Sequence, residues 1–407
     1  MPDRDEAFFG AMTPARNFTP DAVRSDPNRT RRDFLRAGTV TALSLAMERA
    51  WAVIPLDPAP DGKFVGLVPF EDEQVAPAGT LTGSELDGRL FTDLAKVSVD
   101  HLVTPNAEFF VRSATSRLLP GPANWKIAID GLVEQPSEVA IDHLRKGARP
   151  MGIHLMECAG NVALTRFGLI GVAGWTGVPV TEVLARVKPR PGAAWVEISG
   201  FDDYAGPSHT SIPGASWIFP MDALKEAFLA TGMNGQPLSR DHGAPVRLVV
   251  PGWYGCACIK WVNRIAFLAE GAEASSQMQE YAVRTLQEGR PQFAREYASA
   301  VVDLAALPTR IEKWIGGGKL RYRIVGLAWS GAQPIPALKI RFNPDEEFVP
   351  VFGFRPGKTD PWTVWTHAWT PSAPGDYRIR MAVAAPEVQA RKLDLGLYDR
   401  TVHISEI

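Results

Sequence analysis

The sequence predicts an α+β protein: a mixed α+β body followed by an all-β sandwich of immunoglobulin-like size. Three observations predict it. Between about residues 101 and 285, strand-like runs such as WVEISG and VRLVVPG alternate with helix-like runs such as VTEVLARV and MDALKEAFLA. After about residue 285 the helical spacing stops. Strand-like runs (KLRYRIVGLAW, ALKIRF, WTVWTHAW, DYRIRMAVAA) then recur about every 15 to 20 residues between Gly, Pro and Asp. Finally, 34 prolines in 407 residues suit strands, turns and long connections better than helix bundles.

Taken in chain order, residues 1–52 read as a signal peptide. TRRDFLR places Arg31 and Arg32 before Phe34 and Leu35, and the mildly apolar AGTVTALSLAM and an Ala-x-Ala ending follow. This is the pattern of a cleavable twin-arginine signal, and an apolar run of about 11 residues is too short to span a bilayer. That route carries folded proteins, so the expectation is a periplasmic protein loaded with a bulky cofactor before export. Residues 53–100 are rich in Pro, Gly and Asp with weak periodicity, and read as an extended N-terminal arm over the surface. Residues 101–285 form the mixed body and residues 286–407 the sandwich.

Net charge is −2, so neither nucleic acid nor an anionic membrane surface is favoured as a partner. The three cysteines, Cys158, Cys256 and Cys258, are too few for a disulfide framework. No Cys-x-x-Cys-His occurs for covalent haem, so no haem is expected in this chain, and no paired Cys-x-x-Cys zinc signature occurs either.

LMECAGN holds Cys158 between a glutamate and small residues, where Ala159 and Gly160 let the backbone approach something bulky. Cys158 is either a small buried hydrophobe or a thiolate serving as soft-metal ligand or nucleophile. Other stretches carry charge suited to a phosphate: Arg112 in AEFFVRSA, His242 and Arg247 in DHGAPVRLVVPGWYG, and Lys260 in CACIKW. Arg supplies a planar fork and Lys a point charge, and glycines free backbone N–H groups. Asp202 and Asp203 follow a strand in ISGFDDYAG. Cys256 and Cys258 alternate as in a strand, which disfavours a disulfide between them, and read as small buried residues.

In their order and spacing, ECAGN, FFVR, DHGAPVR, VVPGWYG and IKW resemble motifs of the sulfite oxidase family of molybdenum enzymes. GLAWSG, the tryptophan-rich run at 362–369 and the closing strands resemble that family's C-terminal dimerisation domain. The resemblance covers roughly residues 95–405. It implies a molybdopterin-binding catalytic domain over 101–285, with Cys158 as the molybdenum ligand. Phe110, Arg112, Asp202, His242, Arg247, Cys258, Ile259 and Lys260 fall where the family grips the pterin and its phosphate. It further implies a homodimer that oxidises sulfite or a related sulfur compound by oxygen-atom transfer. Arg112 would hold the oxyanion, and electrons would pass to an external acceptor such as a c-type cytochrome.

The chain also departs from the family. Ser113 and Ala114 stand where Asn and His usually follow FFVR. Val162 and Ala163 replace a usual arginine, and Arg166 is the first arginine downstream. Trp217 sits where a tyrosine is common, with Tyr204 and His209 as substitutes. The expected pocket is therefore less cationic and weak for sulfite. The same cofactor could instead serve a sulfane dehydrogenase or an S- or N-oxide reductase. A different class of protein is a non-catalytic β-sandwich that binds a partner.

Overall fold

The computed structural model describes residues 59–71, 78–113, 119–200, 215–351, 353–354 and 361–407. The twin-arginine stretch, Ala114, Asp202, Asp203, Tyr204 and His209 lie outside these residues. Strands dominate and the helices are short, the longest described one being Ile141–Gly147. Among the described residues no helix is long and apolar enough to cross a membrane.

The strand Arg149–Glu157 delivers Cys158 and lies at the edge of a sheet. It pairs antiparallel with Ile170–Pro179, setting Leu155 opposite Val172 and Glu157 opposite Ile170. Ile170–Pro179 pairs in turn with Phe228–Met233, on which Arg247–Val249 also lies. A second sheet orders Ser216–Pro220, Ala193–Gly200, Val262–Ala269, Lys126–Gly131 and Ser137–Ala140, with one parallel pairing, Val262–Ala269 against Lys126–Gly131.

MDALKEAFLA is not the helix its spacing predicts. Met221–Leu224 make a 3-10 turn, and Phe228–Met233 is a strand. Phe228, Leu229 and Ala230 are wholly buried in succession, so side chains on both faces of this strand are covered. A strand covered on both faces has no reason to alternate, so its apolar run after a buried Leu224 mimics helical spacing. The VTEVLARV helix is present but short, Val180–Leu184.

The C-terminal region forms two four-stranded antiparallel sheets. Phe342 stacks on Trp369 at 4.6 Å and Tyr377 meets Trp369 edge-on at 5.0 Å, joining the two sheets. The stretch expected as an arm supplies an edge strand, Lys63–Val68, to one of them by pairing with Ala305–Gly316. Trp362 Nε1 donates to Leu102 O at 2.9 Å, and Arg310 Nη1 to Ala95 O and Val97 O at 3.1 and 2.9 Å. These bonds tie the C-terminal sheets to the first half of the chain.

Glu312 anchors that junction. It accepts from Arg310 Nε at 3.0 Å, Arg323 Nε at 2.8 Å and Trp314 Nε1 at 3.2 Å. Burial works to raise its pKa, but the bonds and charges of Arg310 and Arg323 outweigh burial and hold it below 4.5. Glu312→Gln should therefore cost about 1.5–3 kcal/mol, the worth of hydrogen bonds to a charged group. Because the folded value is depressed, this stability is present above the usual carboxylate range and fades as pH falls through the folded value. Thermal melts of wild type and variant should differ at neutral pH and converge in acid.

Candidate functional site

Cys158 begins a tight turn directly after its strand. Its N–H donates to Leu169 O at 2.8 Å and its carbonyl accepts from Asn161 N at 3.0 Å. Asn161 Oδ1 accepts from Leu169 N at 3.0 Å, closing the turn with a side chain. Cys158 as a whole is 7 % exposed and so is buried.

Arg112, in the short strand Val111–Arg112, reaches this thiol: Nη1 lies 3.6 Å from Cys158 Sγ and 3.2 Å from Tyr281 Oη. A Cβ at Gly160 would lie 3.6 Å from Arg112 Nη1 and 3.7 Å from Arg284 Nη1. The guanidinium of Arg284 stacks over the Tyr281 ring at 5.3 Å. The Cys158–Gly160 segment thus has two guanidiniums near it, and a phenol bonded to one of them. Desolvation raises the Tyr281 pKa against the opposing charge of Arg112, so its hydroxyl stays a donor at neutral pH.

Motif reading missed Tyr281 and Arg284. Their only signal is local. Ser275 caps the helix Ser276–Glu280, accepting from Met278 N at 3.2 Å, and Tyr281 and Arg284 follow three residues apart, the spacing of one helical face. Nothing in that spacing says which part of the molecule the face meets.

A second group adjoins the first. Lys260 Nζ donates to Arg112 O at 3.1 Å and Ser113 Oγ at 3.0 Å, and the Lys260 backbone bridges to Arg247. Arg247 donates to His242 O at 3.2 Å and Cys258 O at 3.1 Å, and its Nη2 lies 3.1 Å from Met156 Sδ. His242 Nδ1 lies 2.8 Å from Ser239 Oγ and Nε2 lies 3.3 Å from Phe109 O. That pattern suits a neutral ring with its proton on Nε2. Gly243, φ +100°, makes the approach feasible, since a Cβ there would lie 3.0 Å from Arg247 Cβ and 3.2 Å from Lys260 Cβ.

Among the described residues Arg247 and Lys260 have no carboxylate in ion-pair contact, although the charge of Asp241 reaches Lys260. Among them His242 forms no ion pair either, and the buried Nε of Arg247 has no hydrogen-bond partner. Burial lowers Lys260 to about 7, helped by Arg247, while Asp241 pulls the other way. Burial lowers Arg247 to about 10, leaving it charged at neutral pH. Burial, then Lys260 and Arg247, lower His242 to about 4, so it is neutral there. Uncompensated buried charge is costly unless an anion completes it. An orphaned guanidinium N–H beside a partly neutralised lysine, one hydrogen-bonded step from a cysteine thiol, fits a phosphate-bearing metal cofactor held through sulfur.

The remaining expected residues that are described are buried or half-buried. Phe110 is half-buried and stacks on Phe109 at 5.1 Å. Ile259 is buried and its carbonyl accepts from Leu248 N at 2.7 Å. Cys258 is buried, with Sγ 3.4 Å from Val250 N. Cys256 and Cys258 are free thiols, but not in the strand their alternation predicts. They sit in turns closed by Ala257 N to Tyr254 O at 2.9 Å and Cys258 N to Gly255 O at 3.1 Å. Arg166 adopts φ 52° after the 3-10 turn Ala163–Thr165. Trp217 is buried in the strand Ser216–Pro220.

Known proteins show the following similarities to this chain. The family model "Oxidoreductase molybdopterin binding domain" matches residues 115–276. Mitochondrial sulfite oxidase of Mus musculus is 30% identical over 270 residues, 57% of this chain and 49% of that protein. The nitrate reductase [NADPH] of Beauveria bassiana is 32% identical over 163 residues, 37% of this chain and 18% of that protein. The chain thus spans half or less of the length of these curated relatives. Among solved structures, the sulfane dehydrogenase SoxCD from Paracoccus pantotrophus shares the fold. Its TM-score is 0.59 at 20% identity, covering 96% of this chain and 100% of that one.

Proposed function

We propose that this chain, which belongs to the sulfite oxidase family of molybdopterin oxidoreductases, oxidises a small sulfur oxyanion, sulfite foremost, and passes two electrons to an external acceptor such as a c-type cytochrome. The observation that carries the reading is the Cys158 thiol flanked by Arg112, with Tyr281 on Arg112 and Arg284 beside it. When bound, the molybdenum cofactor supplies oxygen-atom transfer and two-electron redox chemistry. Overall, sulfite and water become sulfate, two protons and two electrons.

The chain's own residues do the rest. Cys158 offers the soft sulfur donor that molybdenum accepts, and Arg247, Lys260 and His242 line the place for the phosphate. Arg112 and Arg284 hold the oxyanion with charge-assisted bonds, and the Tyr281 hydroxyl fixes the Arg112 fork. Arg284 and Tyr281 were absent from the motif reading, which left Arg112 nearly alone. With them, the pocket has donors enough for a doubly charged oxyanion leaving water.

The reading also includes export and assembly. The twin-arginine pattern at residues 1–52 supports a periplasmic enzyme loaded before export. The two C-terminal antiparallel sheets support an immunoglobulin-like sandwich that pairs two copies.

The test is molybdenum content of the purified protein and its Mo(V) paramagnetic signal during titration with sulfite. A signal that grows with sulfite supports the reading. Loaded protein that sulfite does not reduce, but a sulfane sulfur compound does, moves the assignment to sulfane dehydrogenation. Protein without molybdenum returns it to a binding module. In the same assay Arg284→Gln should lower kcat/KM for sulfite through KM, by about tenfold to a hundredfold for one charge-assisted bond of about 1.5–3 kcal/mol. An unchanged KM would remove Arg284 from the pocket.

A further inference from the structure

Glu157 is wholly buried, directly precedes Cys158, and takes no part in the chemistry above. Three side chains donate to its carboxylate. Trp329 Nε1 reaches Oε2 at 2.9 Å, while Tyr398 Oη and Asn161 Nδ2 reach Oε1 at 2.7 and 3.2 Å. Trp329 ends the strand Lys319–Trp329, and Tyr398 precedes the strand Arg400–Ile404, so two donors come from the C-terminal sheets. Their rings meet edge-on at 5.5 Å, and Tyr398 also lies 5.5 Å from the buried Phe167 ring. The main-chain oxygen of Glu157 accepts from Gly255 N at 2.7 Å.

A buried carboxylate is an expensive anchor, because its desolvation must be offset by donors. An apolar side chain would fill the space more cheaply, but burial of apolar surface has no direction. Two carboxylate oxygens taking bonds from two rigid, mutually packed rings fix both position and plane. We infer that Glu157 is a positioning residue, whose carboxylate fastens the cysteine turn to the C-terminal sheets and so sets where the Cys158 sulfur points. The inference rests on Cys158 being the metal ligand of the proposed function. It gives the C-terminal sheets a part in the metal site besides pairing copies.

Partners that orient a metal ligand typically change metal affinity or activity by about 10- to 100-fold when removed. The experiment uses the full chain with Glu157→Gln, Trp329→Phe and Tyr398→Phe. The phenylalanine variants keep a ring in place and guard against loss of folding in Glu157→Gln. Three readouts are followed: the rate of molybdenum loss on dialysis, the shape of the Mo(V) signal, and, in the cofactor-free protein, the alkylation rate of Cys158 by peptide mapping. The expected result is molybdenum loss about 10- to 100-fold faster in Glu157→Gln, the outer-partner range, with an altered signal. Cys158 alkylation should rise several-fold, and each phenylalanine variant should show part of the effect. A lower melting temperature with unchanged signal, retention and alkylation would make Glu157 a structural residue only and overturn the inference. Cys158→Ser run in parallel separates the two readings. If it keeps the wild-type signal, Cys158 is not the ligand, and the alkylation rate alone then decides whether Glu157 fastens the turn.

Discussion

Cys158→Ser is expected to give a folded protein that has lost turnover by more than about 100-fold, beyond the range for changes outside the ligand itself. Serine has nearly the volume of cysteine, and the turn is closed by Leu169, Asn161 and Glu157 rather than by sulfur. The change is therefore chemical and not steric. Oxygen is a harder donor than thiolate and suits molybdenum poorly. Arg112 Nη1, now 3.6 Å from Sγ, would bond the new hydroxyl and draw its electron density from the metal. Molybdenum content, the Mo(V) signal and sulfite oxidation with cytochrome c or ferricyanide should be read together. Activity within a few-fold of wild type would take Cys158 off the metal.

The second large effect concerns the cation cluster. Arg247→Met should abolish cofactor retention while raising the melting temperature of the cofactor-free protein. Arg247 is buried with an orphaned Nε and, among the described residues, no ion pair, so an apolar isostere relieves a desolvated charge. With an anion present the same charge is compensated, and its loss strips the phosphate of its strongest donor. A substitution that merely damaged packing would lower both quantities. Full molybdenum occupancy in Arg247→Met would place the phosphate elsewhere.

Lys260 adds a pH signature to that result. Its folded value of about 7 lies below the ordinary 10.5, with burial the main cause. Between these values the unfolded chain holds a proton that the folded, cofactor-free protein does not. The stability of that form should therefore rise with pH across the window. Anion binding restores the proton, so cofactor affinity should move the other way, strongest below about pH 7 and weakening as pH rises through it. Rebinding of isolated molybdopterin, followed by its fluorescence, should show this slope, and Lys260→Met should flatten it.

What was legible in the sequence was whatever chemistry lies along a short piece of chain. Cys158 beside small residues, Arg112 after two aromatics, and His242 and Arg247 about a glycine all announce themselves in stretches of a few residues. The structure brings Cys158, Arg112, His242, Arg247 and Lys260 together in one hydrogen-bonded region. Strands that face the core on one side were legible too, because alternation reports a half-covered surface. Phe228–Met233 was not, since burial of both its faces removes alternation, and which faces are covered is a property of the assembled fold.

The same reason governs the pocket. Tyr281 and Arg284 lie more than a hundred residues beyond Cys158, and Trp329 and Tyr398 farther still. The sequence by itself determined the donor types and the small residues beside the thiol. Only the tertiary structure decided which distant cations and rings surround it, because contacts between remote segments depend on sheet order and packing that no local spacing records.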